Sequence, residues 1–248
     1  MASSEREKVL GWPKDAISAK VFGHRVLVGD AVLENRMGLK TCFPLADGNL
    51  AFTQNAGDQK ETLRNAGLHL FTALRQAAKA AEGQSVHAVI GAPAEATREN
   101  KQAIIDLARE AGIDGVMVVS EPFAVAYALD ALEDAMVVDI GAGTIDLCRM
   151  AGSLPNEEDQ VTIFHAGNHV DARICELLRE QRADIQFSPN MIKKAKERFS
   201  SVVDTNKRAL VTFPVNGRPT EVDITEQIQT AVGELVPHIV DGIQKLVS

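Results

Sequence analysis

The first clear pattern along the chain is a helical stripe of apolar positions. Between residues 58 and 81, apolar or small side chains recur every three or four positions, as they do on the buried face of an amphipathic helix. Gly83 follows closely, and glycine is a common helix stop. The pattern therefore predicts a long helix over residues 58–81.

Residues 86–140 alternate between short apolar runs and helical stripes. The runs predict three buried strands, and the stripes predict two helices between them. The predicted order is a strand at 86–91, a helix at 97–111, a strand at 116–119, a helix at 123–132 and a strand at 135–140. Thr97 is the expected N-cap of the first of these helices. Alternation of this kind predicts a parallel sheet in an α/β domain.

The remainder of the chain combines hairpins and helices. The predicted elements are a strand at 145–150, a strand at 160–165, helices at 171–182 and 188–199, strands at 208–215 and 218–224, and a last helix up to residue 246. Asn216-Gly217 predicts a type I′ hairpin turn. Asp223 and Glu226 predict a capping box at the start of the last helix, and Pro237 predicts a kink within it.

The segment before residue 58 gives weaker signals. It predicts a strand at 9–12, a hairpin at 20–29 and a short helix at 30–37. None of its residues indicates catalysis by its type or spacing.

Composition excludes several classes of protein. The chain has 45% hydrophobic and 24% charged residues, which is ordinary for a soluble globular protein, and its net charge of −8 disfavours a nucleic-acid partner. No apolar run approaches the roughly 20 residues that span a bilayer, and the charged N-terminus lacks a signal-peptide core. The three cysteines are far apart, so a cytoplasmic protein with reduced thiols and without a zinc site is expected.

The candidate chemistry lies in the segment from residue 135 to residue 150. An apolar run, interpreted as a strand buried on both faces, ends in Asp139, and Gly141-Ala-Gly-Thr144 separates it from the next strand. A tight glycine turn presents several backbone N–H groups to one point and can bind a phosphate. A carboxylate beside a phosphate predicts a magnesium ion between them, held by Asp139 through water. The alternative is an ordinary β-hairpin with a glycine-rich turn.

Glu121 is the second candidate. It directly follows the predicted strand at 116–119, as Asp139 ends the strand at 135–140. Ligands of parallel α/β sheets bind outside the carboxyl ends of the strands. Glu121 and Asp139 are therefore expected to face one site.

The segments around these residues resemble the actin-like ATPases, and among them the bacterial MreB and MamK families. The resemblance rests on Asp139-Ile-Gly-Ala-Gly-Thr144 and Ser120-Glu121-Pro122-Phe123. Further matching segments are Gly11-Trp-Pro-Lys-Asp15, Val28-Gly-Asp-Ala31, Phe43-Pro-Leu45, Val89-Ile-Gly-Ala-Pro-Ala94 and Ala166-Gly-Asn-His-Val-Asp171. The resemblance implies an α/β fold of the actin-like (RNase H-like) type, with two domains and small inserted subdomains.

The resemblance also implies the roles of individual residues. Glu121 would position or activate the attacking water, and Asp139 would hold Mg²⁺ through water. Thr144 closes the phosphate turn and is counted with Glu121 as catalytic. The residues that would bind ATP or ADP are Gly141, Ala142, Gly143, Thr144, Gly167, Asn168 and Lys196. Positioning and charge neutralisation of this kind suit phosphoryl transfer.

Some features depart from the family pattern. Relatives begin with Gly-Ile-Asp-Leu-Gly-Thr, a first phosphate turn, and continue into a Gly-Gly-Gly segment near the adenosine. This sequence begins after the first segment and ends before the second, so the fold is expected to be incomplete at both ends. A fragment of a longer protein is favoured over a shortened relative. Relatives such as MreB also carry an acidic ribose contact where this chain has Lys193.

The resemblance predicts two domains. The first spans residues 1–132, with an inserted subdomain at about 11–50, and the second spans residues 133–248, with one at about 171–223.

The predicted function is that of a cytoplasmic cytoskeletal protein that polymerises with ATP. It would be an ATP phosphohydrolase if the nucleotide site is complete, would organise magnetosomes or cell shape, and would bind itself and magnetosome or membrane-associated adaptors. One alternative is a non-catalytic relative that regulates or caps a full-length filament. The other is a phosphotransferase of the sugar-kinase type, which needs a general base for the accepting hydroxyl. No residue of the sequence stands out for that role.

Overall fold

The computed structural model describes residues 26–29, 32, 41–46, 49–203 and 207–248. The predicted strand at 9–12, most of the predicted hairpin at 20–29 and most of the predicted helix at 30–37 lie outside these residues. The described chain divides into two compact units, Met1–Ala92 with Ala96–Ser120, and Pro93–Glu95 with Glu121–Ser248. The predicted domain boundary between residues 132 and 133 stays a prediction.

The first unit contains two small sheets and two long helices. Its elements are β1 (Leu45–Ala46), β2 (Asn49–Leu50), a 3₁₀ turn (Ala51–Gln54), α1 (Gly57–Ala77), β3 (His87–Ala92), α2 (Arg98–Glu110) and β4 (Gly115–Ser120). Strands β1 and β2 are antiparallel, and β3 and β4 pair in parallel from His87 opposite Gly115 to Ala92 opposite Ser120. The parallel pairing predicted for these two strands is confirmed.

Residues at the helix ends determine where the helices of this unit begin and end. Thr97 caps α2 as predicted, because its hydroxyl oxygen accepts a hydrogen bond from the N–H of Asn100 at 3.1 Å. Helix α1 ends four residues before the predicted position, where Lys79 takes a left-handed φ of 49°. The apolar faces of both helices pack on the sheet in a core formed by Leu50, Phe71, Ala92, Ile104, Leu107, Ala108 and Ile113.

The second unit begins with a short helix and an antiparallel sheet. Its first elements are α3 (Glu121–Ala128), β5 (Ala135–Ile140), β6 (Ile145–Met150), a 3₁₀ turn (Glu157–Asp159) and β7 (Gln160–Ile163). The sheet order is β5-β6-β7, and both pairings are antiparallel. The prediction that the strand at 135–140 continues a parallel sheet with the two strands before it was wrong. Apolar runs identify strands but do not specify their partners, and a four-residue turn folds β6 directly back on β5.

Burial corrects a second expectation about β5. Its residues are only partly buried, and Val138 is 37% exposed, because β5 forms one edge of the described sheet. Strand β6 lies at the centre, and the residues from Ile145 to Cys148 are all buried. The strand that is buried on both faces is therefore β6, and the prediction that β5 is buried in this way was wrong.

The last elements form the rest of the second unit. They are α4 (Gly167–Gln181), α5 (Pro189–Phe199), β8 (Leu210–Val215), β9 (Arg218–Asp223), α6 (Thr225–Gly233) and α7 (Leu235–Val247). The predicted Asn-Gly turn is confirmed, since Asn216 and Gly217 have φ values of 50° and 76°. In the part of the chain that the structure describes, no helix is long and apolar enough to cross a membrane.

Two predictions about the last helix were wrong in detail. Asp223 does not form a capping box with Glu226, because its carboxylate accepts hydrogen bonds from the N–H and hydroxyl of Thr225 instead. The helix does not merely kink but divides into α6 and α7 at Glu234. Pro237 explains this position, since its ring clashes with the carbonyl four residues earlier, at Gly233.

One apolar core joins the sheet and the helices of the second unit. It packs the inner faces of α4, α5, α6 and α7 against β6, β7 and the β8–β9 hairpin, with side chains that include Leu147, Ile174, Ile192, Phe213, Ile228 and Leu246. This core fixes the ends of the elements that carry the candidate residues.

Candidate functional site

The glycine turn joins β5 to β6. Ile140 and Ile145 form the last pair of the ladder, and the N–H of Gly141 donates to the carbonyl oxygen of Thr144 at 2.9 Å. Among the residues that the structure describes, none accepts a hydrogen bond from the N–H groups of Ala142, Gly143 or Thr144. Three consecutive N–H groups at a tight turn can bind an anion such as a phosphate.

Helix α4 holds this turn from outside. The N–H of Gly167 donates to the carbonyl oxygen of Gly141 at 3.1 Å, and the N–H of Asn168 donates to that of Ala142 at 2.7 Å. A Cβ at Gly167 would lie 3.2 Å from the carbonyl oxygen of Gly141, so a glycine allows this close approach. The N-terminal end of α4, where its dipole is positive, therefore contacts the turn and favours an anion nearby.

Lys196 of α5 holds the N-terminal end of α4 beside the turn. Its ammonium group donates to the carbonyl oxygen of Gly167 at 2.8 Å and forms an ion pair with Asp171 at 3.0 Å. Both side chains are only 16% exposed, so this ion pair lies largely inside the protein. The structure thus brings together three sequence segments that were predicted to share a site, at 141–144, 167–168 and 196. The predicted adenine contact of Lys196 stays a prediction.

Three carboxylates lie beside the turn. Burial raises the pKa of Glu121, the first residue of α3, and the negative charges of Asp146 and Asp139 raise it further. The pKa of Asp139 is also raised, first by burial and then by Asp146, which is its partner across the ladder. Glu121 and Asp139 are therefore close enough to influence each other, although β5 does not belong to the parallel sheet from which this was predicted.

Asp146 is the residue that sequence reasoning missed. Its side chain is 1% exposed, and one carboxylate oxygen accepts hydrogen bonds from the N–H of Ala94 at 2.8 Å and the hydroxyl of Thr162 at 2.6 Å. A signal for it existed in the sequence. Once the turn is placed at 141–144, the register of the hairpin sets Asp146 opposite Asp139.

The carboxylates fit a hydrated magnesium ion better than a metal held by protein ligands alone. In the described ranges, no group of three or more histidine, cysteine, aspartate or glutamate side chains could hold a metal ion directly. Mg²⁺ keeps several waters and needs only one or two carboxylates, and a cation would offset the burial and the repulsion from Asp146 that raise the pKa of Asp139. Asp139, near the end of β5, could hold such an ion, and the buried Thr144 is the last residue of the turn before β6.

Comparison with known proteins gives the family. The model of the MreB/Mbl protein family matches residues 40–248. The chain is 38% identical over 240 residues to the actin-like protein MamK of Paramagnetospirillum magneticum, covering 97% of this chain and 67% of that protein. It is 37% identical over 240 residues to MamK of Magnetospirillum gryphiswaldense, covering 97% and 65%. The chain thus spans about two thirds of the length of these relatives.

Solved structures agree with the sequence comparison. The MamK double helical filament matches with a TM-score of 0.84 at 37% identity, covering 95% of this chain and 70% of that one. A non-polymerising MamK mutant bound to AMPPNP matches with a TM-score of 0.64 at 37% identity, with the same coverage. MreB 5 of Spiroplasma citri bound to AMPPNP, at 19% identity and a TM-score of 0.67, covers 91% and 68% and shows the same fold.

The predicted actin-like α/β fold is confirmed by these structures, and the matches in sequence extend over nearly the whole chain. The chain belongs to the MreB/Mbl family of bacterial actin-like proteins.

Proposed function

We propose that this chain binds ATP with magnesium and assembles with copies of itself into cytoskeletal filaments. One observation carries the proposal. Three backbone N–H groups at residues 142–144 have no acceptor in the described structure, and the N-terminus of α4 holds their turn beside Glu121 and Asp139. Amides that can bind phosphate, next to carboxylates that can hold a hydrated cation, are the parts that a nucleoside triphosphate needs.

The residues of the turn bind the phosphate groups in this proposal. The N–H groups of Ala142, Gly143 and Thr144 donate to phosphate oxygens, while Gly141 closes the hairpin through its bond to Thr144. Gly167 and Asn168 keep the turn in place and line the site on the side of α4. Lys196 anchors Gly167 and is the proposed neighbour of the adenine. Two relatives of known structure are bound to AMPPNP, which supports a nucleotide as the ligand.

Glu121 is the proposed general base. Burial, with the charges of Asp146 and Asp139, raises the pKa of Glu121, which makes it a stronger base than an ordinary surface glutamate. Asp139 orients the waters around the phosphates through its half-buried carboxylate. Mg²⁺, when bound, supplies charge neutralisation to the phosphate oxygens. Asp146 keeps its hydrogen bonds to Ala94 and Thr162 and sets the negative potential that both other carboxylates experience.

Self-association is the second part of the proposal. MamK at 37% identity forms a double helical filament, and that filament is similar in structure to this chain over 95% of its length. A cytoplasmic location, a role in aligning magnetosomes or maintaining cell shape, and contacts with adaptor proteins are inferred from the same family.

Calorimetric titration of the 248-residue chain with ATP and magnesium tests the first part. We expect saturable binding that weakens by about tenfold or more in Asp139→Ala, since the variant loses a charge-assisted contact. Lys101→Ala is the control, because it lies in the first unit, outside the site. If the folded chain shows no ATP binding, or if Asp139→Ala binds as the parent does, the proposed site is wrong.

Pelleting and electron microscopy test the second part separately. We expect filaments with ATP and fewer with ADP. Nucleotide binding without filaments at any salt concentration would instead favour the alternative of a relative that regulates or caps a full-length filament.

A further inference from the structure

A groove lies between α5 and β8, on the other side of α5 from the phosphate turn. Its volume is about 300 Å³, and its lining consists of Met191, Lys194, Ala195, Arg198, Phe199, Leu210, Val211 and Thr212. Lys196 points to Gly167, whereas Lys194 lies two residues away and thus about 200° around the helix. The groove and the phosphate turn therefore lie on different sides of α5.

The cations of α5 divide into two pairs. Lys196 is paired with Asp171 at 3.0 Å, and Lys193 is near Glu197 at 3.9 Å. Within the described residues, Lys194 and Arg198 form no ion pair with any carboxylate. The two cations without a counter-ion among the described residues are the two that line the groove, one helical turn apart. This is notable in a chain with a net charge of −8.

Apart from Thr212, the other walls of the groove are apolar. Met191 and Val211 are partly buried, and Leu210 is 39% exposed at the start of β8. The guanidinium of Arg198 lies over the ring of Phe199 at 4.9 Å from its centre, which limits the positions that the cation can take. A cation held beside apolar walls recognises a ligand that carries an anion and an apolar body in one molecule.

Helix stability alone does not account for this arrangement. A basic residue in the last turn of a helix interacts favourably with the helix dipole, and Arg198 is in that position. Lys194 lies one turn earlier, where the dipole effect is weak, and the dipole has no bearing on an apolar wall at Leu210. The groove therefore needs a second explanation.

We propose that this groove binds a small organic anion with an apolar body, such as a short-chain carboxylate or an aryl sulfonate. Its head accepts hydrogen bonds from Lys194 and Arg198, and its body packs between Met191, Phe199 and Leu210. The volume corresponds to about ten water molecules, which accommodates a short-chain carboxylate whole or the sulfonate-bearing part of a larger aryl sulfonate. This site is independent of nucleotide binding.

Fluorescence titration with 8-anilinonaphthalene-1-sulfonate tests the proposal on the 248-residue chain. The probe carries one sulfonate and an aromatic body. We expect the double variant Lys194→Gln, Arg198→Gln to bind it about tenfold or more weakly, because two charge-assisted contacts are lost. The matched control is Lys193→Gln, Arg218→Gln, which changes the net charge equally at exposed positions outside the groove lining. It should bind within about twofold of the parent.

Two further measurements separate the head from the body. Leu210→Ser should weaken probe binding without any change of charge. Hexanoate should displace the probe, whereas inorganic phosphate and hexanol at the same concentration should not. Circular dichroism and the Tm of each variant establish that it is folded. Equal loss in the groove and control variants, or displacement by phosphate as strong as by hexanoate, would overturn the proposal.

Discussion

The second unit contains two β-hairpins, and they use their turns differently. In the β8–β9 hairpin, Asn216 and Gly217 take the left-handed conformation that a two-residue turn requires, and a Cβ at Gly217 would meet no atom within 4 Å. In the β5–β6 hairpin, the turn has four residues, and a Cβ at Gly167 of the neighbouring helix would meet its backbone at 3.2 Å. The first turn is free-standing, and the second is held by its surroundings.

This difference separates a structural turn from the turn that we propose binds phosphate. The Asn-Gly turn needs nothing beyond its own two residues, so its sequence signal is complete. The Gly141–Thr144 turn leaves three N–H groups without a described acceptor, and it depends on Gly167 and Asn168 to keep its shape. A turn that keeps donors available for a ligand must be fixed by contacts other than its own hydrogen bonds. Substitutions in the strands, the turns and the neighbouring carboxylates of the two hairpins should therefore have different effects.

The strands should give the largest effect. Leu147 of β6 is fully buried, and α7 passes so closely that a Cβ at Gly242 would clash with its Cδ1 atom. We expect Leu147→Ala to lower the free energy of unfolding by about 2–5 kcal/mol, from lost burial and the cavity left behind. Leu210→Ala in β8, where the side chain is 39% exposed, should cost less than about 1 kcal/mol. Urea denaturation measures both, and equal losses would contradict the assignment of β6 as the central strand.

The turns come next. Gly167→Val would bring branched carbons against the carbonyl oxygen of Gly141 and the Cα of Ala142. We expect a loss of about 1–3 kcal/mol in the free energy of unfolding, because the packed backbone has to move. ATP binding should also weaken, because the phosphate turn is displaced. Gly217→Ala should cost about 1 kcal/mol through its positive φ alone and leave ATP binding unchanged. Intact ATP binding in a folded Gly167→Val variant would show that α4 does not fix the turn.

The sequence predicts the features that depend on local signals and not those that depend on the surroundings. The bounds of β5 and β6 and the Asn-Gly turn were predicted to the residue, because runs of apolar residues and turn dipeptides are local signals. The pairing of β5 was not, since alternation of strands and helices does not specify which strands are neighbours. Asp146 was missed because a single acidic residue in a strand has no meaning until the register places it opposite Asp139. The break between α6 and α7 at Glu234 was not predicted either. Pro237 indicates a disturbed helix, but packing determines the residue at which the helix divides.

Asp223, at the end of β9 in the second hairpin, should have a smaller effect on stability. The carboxylate of Asp223 accepts bonds from the N–H and hydroxyl of Thr225 and from Arg208, which lower its pKa to about 2. Asp223→Ala should therefore cost about 1 kcal/mol at neutral pH, as for the loss of a helix cap. Because the folded pKa is below the ordinary value of 3.8, this stability is present above pH 3.8 and lost as the pH falls towards 2. Acid titration of the Tm, with Asp58→Ala in α1 as a control, checks the difference.

The carboxylates beside the first hairpin should give the smallest effect, and it has the opposite sign. The pKa values of Glu121 and Asp139 are raised, so the folded state binds protons more tightly than the unfolded chain. Stability should therefore fall as the pH rises from the ordinary carboxyl values of 3.8 and 4.5 to the raised ones, and the deficit persists at neutral pH. Asp139→Asn should remove part of it and raise the Tm by no more than about 2–4 °C, since solvent screens these half-buried groups. The same variant should lose ATP binding, whereas Asp223→Ala lowers stability and keeps it. A lower Tm for Asp139→Asn at pH 7 would mean that Asp139 stabilises the fold, and the charge repulsion would not be the cost of a binding site.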